Sequence, residues 1–212
     1  MNPSKEKFYE NQAATIIKNL KLRKMEGYYC KTVDDAKKKM LELMGDNSKN
    51  VAYGGSMTLT DSGFYDAVKS GGHNLIVREN YESDEEIKEL KALTATADFF
   101  LTSTNAITLD GELVNIDARG NRVSYLIYGP DEVIVVAGMN KVVANAEDGV
   151  RRVRNEATPP NTVRLNCDTP CATTGRCANC LNDTICCQIL VTRASRIPGR
   201  IKVILVGQEL GY

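Results

Sequence analysis

Apolar side chains recur at helical spacing along the first part of the chain. Tyr9, Ala13, Ile16 and Leu20 are separated by four, three and four residues, and Val33, Ala36, Met40 and Leu43 by three, four and three. Each set forms one apolar stripe along a helix. Residues 4 to about 45 are therefore predicted to be helical, broken at Gly27, with Thr32 capping the second segment three residues before Asp35. From Asn50 the period changes. Short apolar runs rich in β-branched residues, VAY (51–53), NLIV (74–77), DFFLT (98–102), EVIVVAG (132–138), CQILVTRA (187–194) and IKVILVG (201–207), predict strands. Helical patterns lie among them. Ser83 opens the capping-box pattern S-D-E-E ahead of Ile87, Leu90, Leu93 and Ala97, and Asn145 opens a stripe of Ala146, Val150 and Val153. In ITLDGELVNI (107–116), Asp110-Gly111 predicts a hairpin turn. The alternation of strand and helix predicts an α/β fold, a mostly parallel sheet flanked by helices. The N-terminal helices are expected to pack on that sheet or to mediate self-association as a homodimer. Pro159-Pro160-Asn161 marks the expected boundary between the sheet core and the segment that follows.

Composition narrows the function classes. The chain has 212 residues, with Lys+Arg and Asp+Glu balanced at 27 each. No global field attracts nucleic acid or an anionic membrane, so neither is an expected partner. No apolar run is long enough to cross a bilayer. The polar start MNPSKEKFYENQ lacks the apolar core of a secretory signal, which makes the cytoplasm the expected compartment.

Six of the seven cysteines fall between Cys167 and Cys187, spaced Cys167-x3-Cys171-x5-Cys177-x2-Cys180-x5-Cys186-Cys187. In a reducing compartment such a cluster points to metal or redox chemistry more than to structural disulfides. Cys177 and Cys180 form a C-x2-C pair whose sulfurs can face the same way. Cys171 and Cys186 flank it symmetrically, which makes Cys171, Cys177, Cys180 and Cys186 the expected four-thiolate set, in an insert spanning 166–187. Pro170 and Gly175 supply turn chemistry, and Thr173, Thr174, Asn179 and Thr184 can hydrogen-bond toward sulfurs. Zinc in a closed structural site and a four-iron, four-sulfur cluster both suit four thiolates, with the iron–sulfur cluster slightly favoured; free or disulfide-linked thiols are the alternative. Cys167 and Cys187 are spare or substitute ligands, and Cys30 reads as a helix-packing residue.

A second candidate site lies at the strand ends. VAY runs into Gly54-Gly55-Ser56-Met57-Thr58, DFFLT into TSTNAIT with Asn105, and EVIVVA into Gly138-Met139-Asn140-Lys141. Ligands of open α/β sheets sit beyond the carboxyl ends of the strands. Gly54, Gly55, Ser56, Thr58, Asn105, Asn140 and Lys141 are therefore the candidate ligand-binding residues, suited to a small anionic metabolite or a phosphorylated cofactor. Asp61, Asp117 and Arg119 are possible ionisable members, with helix capping (Asp61) and a solvent-facing turn (Asp117, Arg119) as the plain readings. The single histidine, His73, reads as the start of a strand, so a His-based metal site is excluded. No G-x-S-x-G, P-loop or H-E-x-x-H pattern is present.

GGSMTLTDSGFYDAV, TSTNAITLDGELVNIDARGNRVSYLIYGPDEVIVVAGMNKVV, TPCATTGRCANC and the ending ILVGQELGY, in that order, resemble the LUD-domain family, named for lactate utilisation proteins. The resemblance runs from about Lys5 to Tyr212, and this chain is similar to the short branch with a C-terminal cysteine motif. It implies a fold like that of glucosamine-6-phosphate deaminase, ribose-5-phosphate isomerase and the CoA transferases. The apolar stripes set a helical segment at 1–48 ahead of a LUD α/β domain at 49–212, and the resemblance implies a role in lactate oxidation alongside an iron–sulfur redox partner. Cys171, Cys177, Cys180 and Cys186 are the positions that correspond to the motif. No catalytic residues carry over, and the ferredoxin-like extension of the larger lactate-utilisation subunit is absent. A redox accessory protein or oxidoreductase subunit is the leading expectation. A non-redox sugar-phosphate or CoA-type enzyme with structural zinc, and a metabolite-sensing regulatory module, are the alternatives.

Overall fold

A computed structural model describes residues 2–212. Helix α1 (Pro3–Leu22) begins at Asn2, whose side chain accepts from the Ser4 amide. It leads to strand β1 (Glu26–Cys30) and helix α2 (Val33–Met44), capped by Thr32 as expected. Then follow β2 (Asn50–Tyr53), α3 (Met57–Asp61), α4 (Phe64–Ser70), β3 (Asn74–Leu75), α5 (Asp84–Ala95), β4 (Phe99–Ser103), β5 (Ala106–Thr108) and β6 (Leu113–Asp117). The chain continues through α6 (Asn121–Ile127), β7 (Glu132–Gly138), β8 (Val142–Val143), α7 (Ala146–Arg152), α8 (Thr158–Arg164), α9 (Pro170–Thr174), β9 (Gln188–Thr192) and β10 (Ile201–Val206).

Six strands form a parallel sheet in the order β1-β10-β7-β4-β2-β3, as the alternation of strand and helix implied. Strand periodicity sends alternate side chains to opposite faces. Val133, Val135, Ala137, Val203 and Leu205 meet the α1 stripe of Tyr9, Ala13, Ile16 and Leu20. Ile134, Val136, Ile204 and Val206 meet Ala36, Met40 and Met44 of α2 together with Leu59, Phe64 and Val68. The two N-terminal helices thus cover opposite faces of the sheet. A second sheet, β8-β5-β6-β9, carries the expected Asp110-Gly111 hairpin, with Gly111 at φ 84°. Helix α7 packs so closely on it that a Cβ at Gly149 would stand 2.7 Å from the Val114 side chain.

Four expectations are corrected. Residues 4–45 are not helical throughout: β1 lies between the helices and pairs along its length with β10. Gly27 sits within that strand, where a Cβ would stand 2.8 Å from Leu20 and 2.9 Å from Ile17; its small size admits α1 onto the sheet. NLIV shortens to a two-residue edge strand because it pairs only with Asn50 and Val51 before turning at Arg78–Asn80. The α5 stripe is only half used, with Ile87 and Leu93 exposed and Thr94 and Ala97 buried. Pro159-Pro160 is no boundary: both lie in the first turn of α8, in a helical run continuous from α7 through a π-helical turn at Val153–Ala157. Proline lacks the N–H of the regular ladder but is accommodated in a first helical turn.

Among the described residues no helix is long and apolar enough to cross a membrane.

Candidate functional site

Strands β2, β4 and β7 are immediate neighbours, so their carboxyl-terminal loops must meet. They enclose a cavity of about 270 Å³ lined by Gly55, Ser56 and Thr58 from the first loop, Ser103, Thr104 and Asn105 from the second, and Lys141 from the third. Five of the seven expected ligand-binding residues are in this lining. The other two have different roles. Gly54 lies behind the cavity, where a Cβ would collide with Arg122 at 2.7 Å. Asn140 turns away, and its side-chain oxygen accepts from the Leu210 amide at 3.1 Å.

That contact anchors the chain's last residues. The Met139 amide donates to the Gln208 carbonyl, and Gly211, at φ 56°, lies so close to α3 that a Cβ would stand 2.7 Å from the Thr58 hydroxyl. Tyr212 thereby becomes part of the cavity wall.

Lys141 is the chemically distinctive group. It follows β7 in a single tight turn and is 3% exposed. Its ammonium donates to Thr58 Oγ1 at 2.7 Å, Ser103 Oγ at 3.3 Å and the Thr104 carbonyl at 3.3 Å. All three partners are neutral. Desolvation first, then the nearby guanidiniums of Arg152 and Arg122, hold its pKa down to about 7.

Arg122 and Asp117 explain why no carboxylate reaches Lys141. Asp117 Oδ1 takes both Nε and Nη2 of Arg122, at 3.0 and 2.9 Å, while Oδ2 accepts the Arg122 and Val123 amides at the start of α6. The guanidinium also donates to Asn115 Oδ1, Asn105 Oδ1 and the Ser103 and Ile116 carbonyls. Asp117, weighed as a solvent-facing turn residue, is buried and spent on this network. Asn105 holds the network through its side-chain oxygen, which accepts from the Ile116 amide and from Arg122. Asp61 ends α3 in solvent instead of capping a helix, and Arg119 is exposed. His73 is buried directly before β3, with Nδ1 unpartnered.

Arg122 escaped sequence reasoning because its partner stands five residues back across a loop, a spacing with no periodic signal. Arg78 and Arg164, exposed on the cavity rim, were also missed. The lining therefore carries the basic side chains of Arg78, Arg122, Lys141 and Arg164 against one acidic side chain, Asp117, an excess that favours an anion.

A smaller cavity of about 90 Å³ adjoins the first. Cys171, Cys177, Cys180 and Cys186 all line it, with Thr158 and Ile185 forming walls of both cavities. Hydroxyls stand beside two of the sulfurs: Thr169 and Thr162 lie 3.4 and 3.5 Å from Cys171 Sγ, and Thr158 lies 3.6 Å from Cys186 Sγ. Burial, above all, raises the Cys186 thiol. Cys167 and Cys187 are outside the lining, and Cys30 ends β1 on the α2 face of the core. All seven cysteines are free thiols. The donor set suits a thiophilic metal centre in number and kind, while among the described residues no three His, Cys, Asp or Glu side chains are arranged to hold one metal ion.

The family model described as the LUD domain matches residues 13–206. The chain belongs to the LUD-domain family. This LUD-domain chain is also similar to a solved structure of a DUF162 family protein from Deinococcus radiodurans, at 17% identity and a TM-score of 0.52, over 95% of this chain and 98% of that one. That likeness extends to the fold. Ribose 5 phosphate isomerase A from Neisseria gonorrhoeae overlaps 52% of each chain at 12% identity and a TM-score of 0.33, too slight to carry anything across. A search of curated proteins finds no match.

The buried lysine has a consequence for stability. Its pKa is lowered in the folded state, so between about 7 and the ordinary lysine range the unfolded chain binds one proton more. Lys141 thus adds a rise in stability with pH across that window, and below it the folded state carries the full cost of the buried charge. Urea unfolding of the native protein and of Lys141→Met should show the variant's relative stability falling by up to about 1.4 kcal/mol per pH unit through the window. Parallel pH–stability curves would contradict the lowered pKa.

Proposed function

We propose that this LUD-domain protein is a redox accessory protein or oxidoreductase subunit acting on organic acids such as lactate. The larger cavity binds a small anionic metabolite, and the cysteine set carries an iron–sulfur cluster. The observation that carries this reading is the shared wall: Thr158 and Ile185 separate a cation-rich cavity from one ringed by four thiols. Bound anion and redox centre would then be neighbours.

Four thiols lining one cavity supply the number of ligands a four-iron cluster takes. Cys171, Cys177, Cys180 and Cys186 would hold it, and the Thr162, Thr169 and Thr158 hydroxyls would donate toward the sulfurs. Such a cluster supplies one-electron transfer. Arg78 and Arg164 would draw the anion to the mouth, and Lys141, Thr58 and Ser103 would hold its polar atoms inside.

Protein purified without oxygen is expected to contain iron and acid-labile sulfide with broad visible absorption. Cys177→Ser and Cys180→Ser are each expected to lose both while the parallel sheet stays folded. Stoichiometric zinc in colourless protein would replace this reading with the non-redox enzyme and its structural metal. Metal content unchanged in both variants would refute the ligand set.

The anion site has its own test. Gly55 lines the cavity and a Cβ there meets nothing within 4 Å, so a side chain is accommodated without a clash. Gly55→Val should fold normally by circular dichroism and bind pyruvate, lactate or inorganic phosphate roughly tenfold more weakly by calorimetry, about 1.4 kcal/mol. Unchanged affinity for whichever anion binds the native protein would remove this loop from the site.

A further inference from the structure

We propose that Lys141 is a catalytic nucleophile, and that the ligand of the larger cavity is a small anion bearing an aldehyde or ketone, which the Lys141 amine captures as an imine. The inference rests on reading that cavity as a small-anion site and names the substrate class.

Three features of the surroundings point the same way. The amine is buried yet lines the cavity, so a bound molecule reaches it. It forms no ion pair: the nearest carboxylate in the lining, Asp117, is held by Arg122 and two backbone amides. Two guanidiniums, Arg122 from α6 and Arg152 from α7, oppose its protonation, and the Arg152 side chain is itself fixed by the Asn140 and Asn105 carbonyls. A lysine that is desolvated and set beside other cations is the arrangement that frees an amine for attack. A lysine whose purpose was only to attract an anion would do better exposed and fully charged, as Arg78 and Arg164 are.

The hydrogen bonds suit both protonation states. The ammonium donates to all three partners. The neutral amine can donate to the Thr104 carbonyl and one hydroxyl while the other hydroxyl donates to its lone pair. Ser103 is the hydroxyl that can turn to the lone pair, because Thr58 donates to the Leu210 carbonyl and the Thr104 carbonyl keeps the amine as a donor when Ser103 releases it. In the reaction the nitrogen lone pair attacks the carbonyl carbon and the C=O π pair moves to oxygen, which takes up a proton to give a carbinolamine. The C–O bond then breaks as C=N forms. Both hydrogens of the amine leave with that oxygen as water, and the Thr58 hydroxyl at 2.7 Å is placed to relay them. No oxidant or further reactant is required. The rim guanidiniums hold the anionic end, which a carboxylate or a phosphate can supply.

The test is reductive trapping on the full-length protein. Pyruvate and glyceraldehyde 3-phosphate are each incubated with the protein near neutral pH, sodium cyanoborohydride is added, and the adduct is mapped by mass spectrometry of proteolytic peptides. The expected result is a dominant adduct on Lys141, with the mass of the carbonyl compound less one oxygen. Its yield should climb through pH about 7 and then level off, whereas adducts on exposed lysines continue to climb toward the ordinary lysine range. Trapping with pyruvate alone assigns a 2-oxo acid, and trapping with the phosphorylated aldehyde alone assigns a sugar phosphate. Lys141→Arg should lose the adduct. Because the map is read on the native protein, a variant that fails to fold does not spoil the test. Adducts scattered over surface lysines, or none on Lys141, would overturn the proposal. If the anions still bind in that case, the imine alone fails; if neither they nor inorganic phosphate bind, the anion-site reading fails with it.

Discussion

A lysine side chain taken out of water without a counter-charge must either remain protonated at a cost of several kcal/mol or give up its proton. Lys141 is in that position, and the surrounding structure keeps it there. The nearest acid, Asp117, is engaged by Arg122 through both of its oxygens. The oxygens around the amine are two hydroxyls and a carbonyl. Arg122 and Arg152 add positive charge. Remove Thr58 and Ser103 and the amine has one fixed partner. The network around Arg122 isolates the site electrostatically as well as bracing it.

The sheet makes this arrangement possible. Each apolar face of β7 and β10 is sealed by a helix, α1 on one side and α2 on the other, which leaves only the strand ends open for polar chemistry. Because β2, β4 and β7 are adjacent, three separate loops deliver a glycine-rich turn, a run of hydroxyls and a lysine to one point. The last residues of the chain pass over the same point, with Asn140 given up to hold them and Gly211 fitted against Thr58. On the far side of Thr158 and Ile185 the cysteine insert forms its own cavity, so two chemically different sites share a wall.

Much of this was legible in the chain. Strands buried on both faces carry continuous apolar runs, so β4, β7 and β10 were plain, and capping residues gave the starts of α2, α5 and α7. Strand β1 was not, because Glu26-Gly27-Tyr28-Tyr29-Cys30 is an edge strand, only half buried, whose glycine looks like a helix break. Its true requirement, room for Leu20 and Ile17, is a tertiary fact without a local signature. The strand-end rule found Gly55, Ser56, Thr58, Asn105 and Lys141 because it needs only the strand positions. It could not separate Gly54 from Gly55, or tell that Asn140 faces the chain end, since orientation within a turn depends on neighbours distant in sequence. Arg122 appeared to be one more polar residue in NIDARGNR. Cysteine spacing singled out four thiols that line one cavity, with Cys167 and Cys187 outside it.

The central claim is that burial and the neighbouring guanidiniums of Arg152 and Arg122 lower the pKa of Lys141 to about 7. Carbon-13 labelling of the lysine ε-carbons, followed by an NMR pH titration, reads that pKa directly, with Lys141→Arg identifying the resonance. The account predicts one lysine signal, absent from the variant, that titrates near pH 7 while the others titrate in the ordinary lysine range. A Lys141 signal that stays protonated along with the rest would contradict it.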